Sequence, residues 1–165
     1  QHAEDHSREI SCVAFNCVAQ NILATGSVDR TIGLWDARQL KKRVHTFLAH
    51  EGEVFSLDWS VLNETILSSA GADRRVCVWD MSRIGTKQHA EDVADGPPEL
   101  LFIHAGHTSK VSDISWNANV GNEWTLASVA EDNVLQVWRM AESIYTEDAG
   151  PPGAPAIAEA GTSAV

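Results

Sequence analysis

Three histidines in this chain stand at fixed distances from a hydroxyl, a carboxylate and an indole. His6 is followed by Thr25, Asp29 and Trp35, His50 by Ser69, Asp73 and Trp79, and His107 by Ser128, Asp132 and Trp138. In each set an aromatic residue (Phe15, Trp59 or Trp116) comes nine residues after the histidine, the hydroxyl precedes the Asp by four, and the Trp follows the Asp by six. His to Asp spans 23, 23 and 25 residues, the extra pair falling in the turn between Asn119 and Glu123. A single set would be a candidate hydrolytic site, with the hydroxyl as nucleophile, the imidazole as base and the carboxylate as its orienting group. Repetition argues against that chemistry, because an active site occurs once and a constellation repeated at one period marks a building unit. The expected role of each set is structural: a carboxylate buried at a tight turn must be paired, and an imidazole can relay from it to a hydroxyl and thence to an indole N–H. His2, His6, Cys12 and Cys17 superficially suggest zinc, but their spacing matches no strong site, and no metal is expected. A glycine-rich phosphate loop and an unrepeated nucleophile–base set are also missing, so no catalytic residues, no cofactor and no enzymatic activity are expected.

The segments between these markers alternate apolar and polar residues and are rich in β-branched side chains, as in 10–15, 22–25 and 31–35, with turns between them. Each repeat therefore reads as a small antiparallel sheet. A unit of about 44 residues holding four short strands is a propeller blade. The expected blades are residues 6–48, 50–103 and 107–139, within a partial propeller over 1–146. Outer strands are expected at 43–47 and 100–103, whereas after Trp138 the text reads as a short terminal helix over 140–146. The third blade then lacks a fourth strand, and three blades do not close a ring that needs at least about four. The rest of the ring is expected upstream, its N-terminus supplying the missing strand. Residues 147–165, rich in Ala, Gly and Pro, are expected to be a disordered tail.

Acidic residues outnumber basic ones 23 to 12, for a formal net charge of -11. That balance disfavours a phosphate backbone and favours a basic protein partner. Three cysteines are too few, and odd in number, for a disulfide framework, so Cys12, Cys17 and Cys77 are expected as small core residues in a reducing compartment. No signal pattern or membrane-length apolar run is present, and the chain is expected to be soluble and intracellular. One connection is irregular: Trp35 to Trp79 is 44 residues, but Trp79 to Trp138 is 59. The excess is residues 81–98, an acidic stretch with Glu91, Asp92 and Asp95 that runs into Gly96, Pro97 and Pro98.

The segments Gly33-Leu-Trp-Asp36, Val76-Cys-Val-Trp-Asp80 and Gly106-His107 resemble the WD-repeat signature over residues 6 to about 140. The third copy departs by ending Trp138-Arg139, and the first two lack Gly before His. The resemblance implies an all-β WD-repeat propeller, here three C-terminal blades of a seven-bladed ring. A finer resemblance rests on Ile22-Leu-Ala-Thr-Gly-Ser27, Asn63-Glu-Thr-Ile-Leu67, Asp73-Arg-Arg75, Asp95-Gly-Pro-Pro-Glu-Leu-Leu-Phe-Ile-His104, Gly106-His-Thr108, Glu131-Asp-Asn133 and Gln136-Val-Trp138. These are similar to the nuclear histone-binding family of retinoblastoma-binding and MSI1-like proteins. That resemblance implies nuclear, non-catalytic scaffolds of chromatin assembly, remodelling and histone-modifying complexes, with histones as partners and no direct contact to nucleic acid or membrane. It implies a loop for a histone helix made by Glu91, Asp92, Asp95, Gly96, Pro97 and Pro98 with Leu100, Phe102 and Ile103 behind it. The other half of that groove, a long N-terminal helix, is not in this sequence, and Val93-Ala94 stands where relatives often carry another acid. It also implies a basic-tail site at the channel mouth, carried by Glu53, Phe55, Glu131 and Asn133, although Lys110 occupies the third-blade position of Glu53. The rival expectation is a generic WD-repeat scaffold or a substrate receptor of a cullin-type ubiquitin ligase, since Trp35-Asp-Ala-Arg38 resembles the WD-x-R motif of such receptors.

Overall fold

A computed structural model describes residues 5–88 and 91–146. His2 and the expected tail lie outside these residues. Blade 1 is the antiparallel sheet β1 (Ile10–Phe15), β2 (Ile22–Ser27), β3 (Ile32–Asp36) and β4 (His45–Phe47), in that spatial order. Blade 2 repeats it with β5 (Val54–Trp59), β6 (Ile66–Gly71), β7 (Val76–Asp80) and β8 (Leu100–His104). Blade 3 has β9 (Val111–Trp116), β10 (Thr125–Ala130) and β11 (Leu135–Arg139), and no fourth strand among the described residues. The chain forms the all-β blades of a WD-type propeller.

Two elements are shorter than expected. The outer strand of blade 1 begins at His45 instead of residue 43, although the Val44 N–H still donates to the Leu34 carbonyl at 2.8 Å. The terminal helix α1 spans Glu142–Tyr145, where 140–146 was expected, and has no side-chain cap. A single turn cannot sustain itself in water. It persists because Tyr145 stacks on Trp124 with centroids 4.1 Å apart and Ile144 packs on the blade 2–blade 3 core. The cysteine expectation fails at one position. Cys77 is buried and Cys12 half-buried, but Cys17 is exposed. In its turn the Asn16 carboxamide oxygen accepts the N–H groups of Val18 and Ala19 at 2.8 and 2.7 Å, which closes the backbone locally and leaves the intervening side chain outside.

The blades pack face to face. Between blades 1 and 2, Ala24, Ile32, Leu34 and Phe47 meet Leu57, Trp59, Leu67, Trp79 and Leu100. Between blades 2 and 3, Ile66, Val78, Leu101 and Phe102 meet Trp116 and Leu126. Each large side chain so buried contributes roughly 1.5–3 kcal/mol. Hydrogen bonds fix the spacing: Trp59 Nε1 donates to the Ala14 carbonyl at 3.0 Å, and Trp116 Nε1 donates to the Asp58 carbonyl at 3.1 Å. The close approach requires a glycine at position 26, where a Cβ would lie 2.6 Å from Cys12 Sγ and 2.7 Å from Val54 Cγ1.

Candidate functional site

All three expected sets close into hydrogen-bonded tetrads. In blade 1, His6 Nδ1 lies 3.0 Å from Asp29 Oδ2, His6 Nε2 lies 2.8 Å from Thr25 Oγ1, and Trp35 Nε1 donates to that hydroxyl at 2.7 Å. The corresponding distances are 2.8, 2.7 and 2.8 Å through His50, Asp73, Ser69 and Trp79, and 3.1, 2.8 and 3.2 Å through His107, Asp132, Ser128 and Trp138. A backbone N–H caps each carboxylate at 3.0 Å, from Ser7, Glu51 and Thr108. Burial alone would raise each aspartate, but the donors around it outweigh burial and hold all three below the usual carboxylate range. Thr31, His6 and Ser7 act on Asp29, His50, Glu51 and Arg75 on Asp73, and Thr108, Val134 and His107 on Asp132. The hydroxyl of each tetrad is buried and already engaged by an indole and an imidazole, so it is closed off from a substrate. These tetrads lock three strands of each blade together.

The tetrad turns also set up one mouth of the array. Directly after each Asp, the backbone enters the left-handed region, at Arg30 (φ 73°), Arg74 (φ 68°) and Asn133 (φ 63°). Asn tolerates that conformation better than Arg does. Asn133 and Glu131 of the expected tail site are exposed on this turn of blade 3, beside the loop whose Lys110 carbonyl accepts the Glu131 N–H at 3.0 Å. Glu53 and Phe55 lie at the same end of blade 2, where the Glu53 carbonyl accepts the Ala72 N–H at 2.8 Å, one residue before Asp73. Phe55 has a property the sequence did not reveal. Pairing runs Val54 to Gly71 and then Ser56 to Ala70, which leaves Phe55 as the extra residue of a β-bulge. The same bulge falls at Ser11 in blade 1 and Ser112 in blade 3, so only blade 2 places an aromatic there. Bulges re-aim side chains next to binding sites. The mouth is not uniformly acidic: Arg30 and Arg74 are exposed on it, and Arg75 pairs with Glu51 at 3.0 Å.

The acidic segment leaves blade 2 at the opposite end, between β7 and β8. Asp80 caps a 3-10 turn over Met81–Arg83 by accepting the Ser82 N–H at 2.9 Å. A second 3-10 turn covers Asp92–Asp95, and Gln88 Nε2 donates to the Gly96 carbonyl at 3.0 Å to close the neck. Gly96 is required: its φ is 126°, and a Cβ would lie 2.7 Å from Leu100 Cδ2. Glu91 and Asp95 are exposed, and among the described residues neither forms an ion pair. Of Asp92, only its place in the turn is described. Val93 is 62% exposed, so the acids flank an open apolar tip. Pro97 and Pro98 are half-buried. Leu100 and Phe102 are buried and Ile103 is half-buried, all three on β8, where they pack between blades and support the loop from behind.

The sequence reading missed one contact at the root of this segment. Glu99 is 4% exposed, and its Oε1 lies 2.6 Å from Nε2 of His45 on blade 1. The two residues are 54 positions apart and neither belongs to the repeated His, hydroxyl, Asp and Trp pattern, so no spacing announces them. Among the described residues, no group of three or more His, Cys, Asp or Glu side chains is placed to hold a metal ion.

The chain matches the family model of the WD domain, G-beta repeat, over residues 1–36, 41–80 and 98–139. The second match stops at Asp80 and the third starts at Pro98, which places residues 81–97 outside the repeat pattern.

Proposed function

Because the chain belongs to the WD domain, G-beta repeat family, whose repeats mediate protein–protein interaction, we propose that it is a non-catalytic, nuclear, histone-binding scaffold of chromatin assembly, remodelling and histone-modifying complexes. The observation that carries this reading is the inserted loop. It holds Glu91 and Asp95 in water, without ion pairs among the described residues, around an exposed Val93, and lies outside the repeat pattern that builds the blades. Carboxylates so placed suit the Lys and Arg side chains of a basic amphipathic helix, and the apolar tip suits its other face. The resemblance to retinoblastoma-binding proteins supplies the identity of that helix, the first of histone four. A second contact is proposed at the channel mouth, where Glu53, Glu131 and Asn133 would engage a basic tail and Phe55 would stack on a guanidinium.

The test is charge reversal. Replacing Glu91, Asp92 and Asp95 by Lys in the intact protein should weaken binding of a synthetic histone-four helix by more than about tenfold, several charge-assisted bonds being lost at once. The melting temperature should barely move, since exposed charges contribute little to stability. If the reversed loop binds the helix normally, the loop is a spacer and the histone reading fails.

One observation favours the rival reading, a substrate receptor of a cullin-type ubiquitin ligase. Arg38 is 72% exposed and held by a two-pronged contact to Asp36, with its Nε 2.9 Å from Oδ1 and its Nη2 2.6 Å from Oδ2. The guanidinium beside it holds the Asp36 carboxyl down at about 2. Retention of the ligase adaptor, with loss of that retention in Arg38→Ala and no retention of histones, would favour this alternative.

A further inference from the structure

Resting on the reading of the inserted loop as a docking element, we infer that His45, on the outer strand of the neighbouring blade, is a positioning residue for that loop and acts through Glu99. Glu99 is the point at which the loop returns to the fold. Its carbonyl accepts the Asp80 N–H at 2.8 Å, which joins the two ends of the insertion, and the next residue begins β8 and donates its N–H to the Pro97 carbonyl at 2.9 Å. Its carboxylate faces inward with its side chain 6% exposed, and among the described residues His45 is its one partner. A buried carboxylate stays buried only while it is paired. His45 is itself fixed, standing edge-on to Phe47 with centroids 4.9 Å apart, and Phe47 is fully buried against Trp79 at 5.1 Å.

The contact therefore reaches from the blade 1 core to the root of the acidic loop. Without the imidazole, Glu99 gains by turning out to water. Pro97 and Pro98 precede it directly and Asp95 lies four residues upstream, so that movement displaces the acids the helix would meet. Among the described residues, the other side-chain ties of the loop are those of Ser82 and Arg83 to Asp80 where it leaves blade 2, and that of Gln88 to the Gly96 carbonyl within the loop, so at its returning end the tie to a neighbouring blade is the one through Glu99.

The experiment combines amide hydrogen exchange with peptide binding in the intact protein, using a synthetic histone-four helix as the probe. In His45→Ala, amides of residues 84–96 should exchange at least about fivefold faster while those of β5, β6 and β7 keep their protection, because loops open locally and independently of core strands. Binding of the helix should weaken by at least about fivefold, as expected for displaced charge-assisted contacts. His45→Gln keeps an N–H donor and should recover most of both effects. Replacing His45 and Glu99 together by Leu removes the unpaired charge and should restore loop protection. Should His45→Ala fail to fold, Glu99→Gln and His45→Gln carry the same measurements. Unchanged loop exchange, or a loss of protection spread evenly over blades 1 and 2, overturns the inference. Faster loop exchange with unaltered peptide binding sustains the positioning role of His45 and defeats the docking-loop reading instead.

Discussion

Blade 2 and the two blades beside it use the same residue types at the same register positions, yet their exposure differs widely. The aromatic nine residues after the tetrad histidine is 1% exposed as Trp59 and 5% as Trp116, but 60% exposed as Phe15. The apolar residue just before the tetrad tryptophan is 5% exposed as Leu34 and 0% as Val78, but 66% as Val137. The three inner strands pair the same way in all three blades, so those strands do not by themselves bury these side chains. The neighbouring blade does. Trp59 is covered because blade 1 lies against it, and Val78 because blade 3 does. Among the described residues, no sheet lies against the Phe15 side of blade 1 or the Val137 side of blade 3. A propeller blade is thus stabilised in proportion to its covered faces, and blade 2 has two.

The sharpest way to break this comparison is to truncate equivalent positions. Trp59→Ala should destabilise by about 3–5 kcal/mol, the usual range for a fully packed aromatic, whereas Phe15→Ala should cost well under about 1 kcal/mol. Denaturant midpoints at constant slope would measure both. Equal losses would mean that the Phe15 face is covered in solution. Next in size is the tetrad of the doubly covered blade. Asp73→Ala should cost roughly 2–4 kcal/mol, because it strips partners from a buried histidine and from a turn, while Asp132→Ala in blade 3 should cost less. A loss below a few tenths of a kcal/mol at Asp73 would defeat the structural role assigned to the tetrads.

Acid should act through the same groups. Asp29, Asp73 and Asp132 are each held below the unfolded value of about 3.9. Their stabilisation is therefore complete above that value and is lost as pH falls through their folded values. Asp58 works in the opposite direction, since burial raises its carboxyl against the N–H donated by Trp116, but it is one group against three. The melting temperature should accordingly fall as the pH drops below about 4. The acid loss should be smaller in Asp73→Asn, which no longer titrates. The smallest effect is expected at the open face: Val137→Thr should change stability by no more than about 0.5 kcal/mol, where Val78→Thr buries a hydroxyl and should cost more. A large loss at Val137 would again reveal a covered face.

Most of the fold was legible in the sequence because its signals are periodic. The spacing from histidine to hydroxyl, aspartate and tryptophan located three blades, and the closed tetrads follow from residue types that need one another when buried. The insertion was equally visible, as extra length between Trp79 and Trp138. Contacts made once, between distant segments, were not. Nothing in the text marks His45 for Glu99, and Glu99 reads as one more acid in an acidic stretch. The bulge at Phe55 was hidden as well, because alternation in a strand does not disclose one unpaired residue. Cys17 was misjudged for a related reason: composition favours burial of cysteine, while a locally closed Asn16 turn points it outward.

Sequence alone determined the repeat, its tetrads, the acidic charge balance and the place of the inserted loop, all of which depend on local spacing and composition. Tertiary structure decided which faces of identical strands are buried, which carboxylates are solvated and which are paired, and how the loop is tied to blade 1. Those outcomes depend on what lies across an interface from each residue, and the pattern within a single blade carries no record of its neighbour.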